Sequence, residues 1–240
     1  MTTKYRLVTR SDFDGLVCAV LLKQLDLIDD ILFVHPKDMQ DGKIEITDRD
    51  ITTNLPYVAG AYLAFDHHLS ETIRNKDAGA NHVIDAAAPS AARVVYDHYG
   101  GKQRFAKIPD DMMDAVDKAD SAQYVQHEIL EPTDWVLLNY LMDARTGLGR
   151  FREFRISNYA LMMDLIQYCR DHSIEQILAL PDVKERVDLY HEHADATLPV
   201  LLQALRGQGL THHAAQVEHA LAMFDLDRAA ELLETLPARL

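Results

Sequence analysis

Residues 61–71 read AYLAFDHHLSE. The first five form a short apolar run of the kind that builds a buried strand. Asp66, His67 and His68 then stand at its mouth, where folding alone favours neither a carboxylate nor two adjacent imidazoles. The arrangement recurs upstream: Asp12 and Asp14 follow an expected strand at 5–9, and Asp48 and Asp50 follow another at 43–47, KIEIT. A further strand is expected at 31–35, and the intervening DGLVCAVLLKQL is apolar nearly all round, which predicts a buried helix. Short apolar runs alternating with helical stretches predict an α/β domain, a mainly parallel sheet with flanking helices.

Downstream, PSAARVVYDHYGG carries Pro89 near a helix start and Gly100-Gly101 past its end. From residue 110 onward strand signals fade and amphipathic helical patterns follow one another, DDMMDAVDKAD, TDWVLLNYLMDA and SNYALMMDLIQYCRDH among them. The expected division is therefore an α/β domain over 1–150 and an α-helical C-terminal region over 151–240, joined near the glycines of ARTGLGRFREFR.

Composition narrows the function classes. With 24 Lys+Arg against 38 Asp+Glu the formal charge is −14, which opposes nonspecific holding of duplex DNA and leaves a phosphate-bearing small molecule or short polyanion as the fitting partner. Cys18 and Cys169 lie far apart in apolar contexts, as expected of reduced thiols in a cytoplasmic protein. Neither a secretory leader nor a membrane span is expected from the hydropathy.

If the strands are parallel, the three acidic sets meet at the carboxyl ends of one sheet, where open α/β folds place ligands. Carboxylates that close raise one another's proton affinity, and divalent cations remove that difficulty. Aspartates with histidines form an oxygen and nitrogen set suited to Mn²⁺ and tolerant of Mg²⁺ or Co²⁺; no thiolate is present in these loops for structural zinc. Two ions about 4 Å apart are a recurrent device for directing water at phosphorus. A lone D-x-D after a strand is more often a cap or turn, and it is the threefold recurrence that carries weight.

These residues resemble the DHH phosphoesterase superfamily over roughly residues 5–155: SDFDG, ITDRD, FDHHLSE, PSAARVVYDHYG and DAVDKADSAQY stand as its successive motifs. The likeness extends to bacterial proteins described as exopolyphosphatase-like, which carry a segment similar to MDARTGLGRFREFRISNY. The resemblance implies a metal-dependent phosphohydrolase that cleaves phosphoanhydride or phosphodiester bonds in polyphosphate, short oligonucleotides or nucleotides, with two Mn²⁺ ions. It implies Asp12 and Asp14 as ligands of separate ions, Asp48 as the carboxylate bridging both, and His67 with Asp120 completing the second ion. It implies His68 as a contact of substrate phosphate and Asp66 as the group orienting an imidazole.

Two features depart from the family's pattern. Relatives usually carry a histidine ligand two residues before the first aspartate, and here that position is Arg10, which has no lone pair to give. Asp50 is an alternative donor for that ion, and Arg10 itself becomes a candidate catalytic or anion-binding group. The alternative function is then a DHH scaffold that binds nucleotide or phosphate without cleaving it. A DHH-associated substrate domain is not expected from the C-terminal sequence, and the helical tail is expected to offer a surface to a second copy or another protein. Arg145, Arg150, Arg152 and Arg155 fall within eleven residues of an acidic chain; Arg145 and Arg150 are candidate phosphate contacts, against a reading as linker arginines paired with local acids. Asp97 and His98 read as helix surface or cap.

Overall fold

A computed structural model describes residues 3–75, 79–142, 153–192, 210–212 and 215–216. The chain divides into two compact units, Met1–Val187 and Asp188–Leu240. The first carries β1 (Tyr5–Arg10), α1 (Phe13–Gln24), β2 (Ile28–Val34), α2 (Pro36–Gln40), β3 (Asp50–Thr53), β4 (Leu63–Asp66), α3 (Leu69–Arg74), β5 (His82–Ile84), α4 (Ala91–His98), α5 (Gly101–Arg104), α6 (Asp110–Asp120), α7 (Gln126–Leu130), α8 (Asp134–Met142), α9 (Asn158–Asp171) and α10 (Ile174–Leu178). The fold class is α/β: five strands in the order β2-β1-β3-β4-β5, every pair parallel.

From β1 the chain runs outward to β2 and then returns to the other side of β1 with β3, so the strand order reverses between β1 and β3. In open parallel sheets such a reversal opens a crevice beyond the carboxyl ends. The register aligns what faces it. Thr9 pairs with Thr53 and Thr53 with Phe65, so Arg10 and Asp66, the last residues of β1 and β4, and Asn54, the residue that follows β3, stand at one edge of the sheet.

Helix α1 is capped by Asp12, whose side chain accepts from the Gly15 amide, and is buried from Phe13 to Leu22. Gly15 is required by close approach: a Cβ there would lie 1.9 Å from the Arg10 carbonyl oxygen. Helices α4, α6 and α9 pack against α1, which explains a helix apolar on every side.

The expected strand at 43–47 is not formed. Ile44 and Ile46 are half-buried against Val8, Val34, Met39 and Leu55, so alternation there reports packing without a ladder. The strand forms instead at Asp50–Thr53, all four residues buried, as a central strand covered on both faces must be.

The first unit reaches Val187. Helices α9 and α10 therefore belong with the sheet, and residues 181–187 are also helical. The expected division at 150 falls among residues outside the described set, as do Arg145, Arg150, Arg152 and most of the helical tail. In the second unit residues 188–192 are helical. No helix among the described residues is long and apolar enough to cross a membrane.

Candidate metal centre

Asp14, in the first turn of α1, is buried at 3% exposure. Its two oxygens accept from the amides of Ala91 (3.0 Å) and Ala92 (2.7 Å), at the amino end of α4. Burial, with Asp120 and Asp12 nearby, nevertheless holds its pKa well above the ordinary carboxylate value. That is the signature of a carboxylate lacking a counter-charge.

His67 and Asp120 complete the group. Donor atoms of Asp14, His67 and Asp120 lie within 4.8 Å of one another. His67 Nδ1 is 3.2 Å from the Ala88 carbonyl, to which it donates, and this tautomer leaves a lone pair on Nε2. Nε2 is 2.6 Å from Asp120 Oδ2, a charge pair when the ring is protonated. With the ring deprotonated, the same two atoms would face a shared ion. In the absence of such an ion, burial disfavours the charged ring, but contact with Asp120 and the charge of Asp14 outweigh it and lift His67 to about 9. The residues present thus fit one divalent cation in an oxygen and nitrogen set.

Asp120 is aimed by its own helix. One turn earlier on α6, Asp117 accepts from Ser90 Oγ at 2.7 Å and from Arg93. Ser90 caps α4 by accepting from the Arg93 amide. These bonds dock α6 on the same helix end that holds Asp14, and spacing of three residues keeps Asp117 and Asp120 on one face.

Asp66, buried at 2% exposure, accepts from the His67 amide (2.8 Å) and from His68 Nδ1 (2.7 Å). The bond to Asp66 raises the His68 pKa and directs Nε2 away from Asp66. His68 lines a cleft of about 160 Å³ with Arg10, Gln40, Asn54, Ser70 and Arg74.

Asp12 has a different environment. Its Oδ2 is 2.8 Å from Arg10 Nε, its Oδ1 accepts from the Gly15 amide at 2.9 Å, and Asn54 Nδ2 lies 3.3 and 3.4 Å from the two oxygens. Burial lifts Asp12 to about 6 despite the opposing charge of Arg10.

Asp48 and Asp50 require correction. Both lie at the amino end of the sheet: Asp50 opens β3 opposite Arg6, and the length of the four-residue strand, about 13 Å, separates it from the crevice. Asp48 is exposed. Asp50 is committed to Arg6 through Nε (2.6 Å) and Nη2 (3.0 Å) and to the Thr47 amide (2.7 Å). With β3 displaced from 43–47, the residue at its carboxyl end is Asn54. Sequence reading passed over this residue because it is no acid; its signal was the turn-prone Asn-Leu-Pro after a β-branched run.

Arg155 is exposed, its amide bonded to Glu185 and its Nε 3.6 Å from Asp182, the pattern of an arginine paired with local acids. His98, on α4, packs edge-on against Phe65 of β4 and does not join the site.

No family model and no curated protein matches the chain. A solved structure titled as a pGpG-specific phosphodiesterase, PggH from Vibrio cholerae, is 65% identical over 79% of this chain, with a TM-score of 0.73. This chain covers 60% of that one.

Proposed function

We propose that this chain is a DHH-type, Mn²⁺-dependent phosphodiesterase that cleaves short linear nucleotides of the pGpG kind into mononucleotides. The observation that carries the reading is the convergence of Asp14, His67 and Asp120 donors within 4.8 Å beside a cleft edged by two arginines. The 65% identity to PggH favours a dinucleotide over inorganic polyphosphate as substrate.

The chemistry a divalent ion supplies at such a site is polarisation of the phosphoryl oxygens and acidification of water. The protein's part is placement and charge. Asp14, His67 and Asp120 would hold the cation, with Ala88 fixing the His67 tautomer. His68, held at Nδ1 by Asp66, would donate from Nε2 to a phosphoryl oxygen as charge builds there. Arg10 and Arg74 line the same cleft and suit the scissile and terminal phosphates. The products of one hydrolysis of pGpG are two GMP.

The Arg10–Asp12 pair, at 2.8 Å, favours a second reading, a nucleotide-binding module that does not cleave. Purified full-length chain with Mn²⁺ separates the two. GMP released from pGpG, with Asp14→Ala slower by more than about 100-fold, supports the enzyme. Tight pGpG binding without turnover sinks it, and phosphate release from polyphosphate in place of GMP corrects the substrate.

A further inference from the structure

We infer that the crevice holds one divalent ion rather than two, and that the guanidinium of Arg10, locked on Asp12, stands where a second cation would be. The inference deepens the proposed metal-dependent reading and rests on it for the presence of any ion.

The charge of the partners separates the two halves of the crevice. Around Asp14 they are neutral backbone amides, of Ala91 and Ala92, and the neighbouring His67 Nε2 and Asp120 Oδ2 pair at 2.6 Å, a contact a divalent ion would replace once the ring loses its proton. Around Asp12 a permanent cation is already in place. The Asp12 oxygens take Arg10 Nε at 2.8 Å, the Gly15 amide at 2.9 Å and Asn54 Nδ2 at 3.3 and 3.4 Å. Arg10 has no lone pair to offer.

Asn54 follows the crevice end of β3, beside Arg10 and Asp66. It is buried at 2% exposure and held in a left-handed conformation, φ 53. Because Nδ2 faces the Asp12 carboxylate, its amide orientation is settled. Its Oδ1, which has no hydrogen-bond partner, is a single neutral acceptor. A carboxylate that gives one oxygen to each of two dications is a common bridge, and an amide at this position cannot act as one.

Charge leads to the same count. Asp12, Asp14 and Asp120 bring three negative charges to the crevice, the fourth carboxylate, Asp66, being paired with His68 at 2.7 Å. One divalent ion plus Arg10 balances them, whereas two ions plus Arg10 leave an excess of about two positive charges in a partly buried site. Arg10 is also 43% exposed on its side chain and lines the cleft with His68, so a cation fixed there meets the substrate phosphate directly.

The test is Mn²⁺ stoichiometry of the full chain by calorimetry and by elemental analysis after dialysis, with electron paramagnetic resonance as a second readout. The expected result is one ion per chain with the six-line spectrum of isolated Mn²⁺. The double variant Arg10→His with Asn54→Asp is expected to take two ions with an exchange-coupled spectrum. Two coupled ions in the wild type, or none, would overturn the inference, as would a folded double variant that stays at one. Arg10→Gln should keep the single ion while kcat on pGpG falls about 100-fold or more; an unchanged kcat with one ion bound would remove Arg10 from the role of second cation. Failure of the phosphodiesterase reading shows separately, as absence of GMP whatever the number of ions.

Discussion

Asp66 shows how one buried carboxylate can arrange two histidines differently. It accepts from the backbone of His67, whose ring is left to Ala88 and Asp120, and from the ring of His68. Asp66→Asn keeps the shape and removes the charge that holds the His68 proton on Nδ1. The variant should therefore bind Mn²⁺ as the wild type does while kcat falls by about 10- to 100-fold. Equal loss of Mn²⁺ affinity would instead place Asp66 in support of the ion. Asp12, Asp14, Asp66, His67 and His68 were legible because each follows an apolar run that does become a strand. Asn54 was not, because a neutral amide gives no signal in a search for clustered charge. Asp48 was misplaced because alternation in KIEIT imitates a strand.

Elements decide which end of the sheet each acid reaches. At the amino end, Asp50 joins β3 to β1 through Arg6. Burial alone would raise the Asp50 pKa, but bonds from Arg6 and the Thr47 amide outweigh it and hold the group below the ordinary carboxylate value. The unfolded chain therefore takes up that proton first. The stabilisation is complete above the ordinary carboxylate value and is lost as pH falls below it. Asp50→Asn should cost about 1–3 kcal/mol at neutral pH, lose less stability than the wild type on acidification below about 4, and leave turnover unchanged at a temperature where it is folded. Urea unfolding at pH 7 and pH 3 measures this, and an unchanged acid response would show that the pair contributes nothing. At the opposite end, α4 and α6 meet through Ser90, Arg93 and Asp117. That junction aims Asp120, a placement reached from sequence only through resemblance, since no local pattern ties residue 120 to residue 14.

At the scale of the molecule, a chain of formal charge −14 presents its substrate cleft where Arg10, Arg74 and His68 gather. Each of these cations is paired with an acid, Asp12, Glu71 and Asp66 in turn, and such a cleft in acidic surroundings suits a short anion better than a long one. The parallel sheet was readable from strand and helix alternation, whereas its reversal between β1 and β3 was not, because alternation carries no strand order. The reach of the first unit to Val187 was not, because amphipathic helices look alike in sequence whether they pack on the sheet or on one another. The central claim is that the reactive edge is the carboxyl edge, built without Asp48. Its most direct test is the initial rate of GMP release from pGpG by Mn²⁺-loaded wild type, Asp48→Ala and Asp120→Ala, side by side. The account predicts that Asp48→Ala stays within about twofold of the wild type, as a surface substitution should, and that Asp120→Ala falls by more than about 100-fold. The reverse order, with Asp48 essential and Asp120 dispensable, would contradict it.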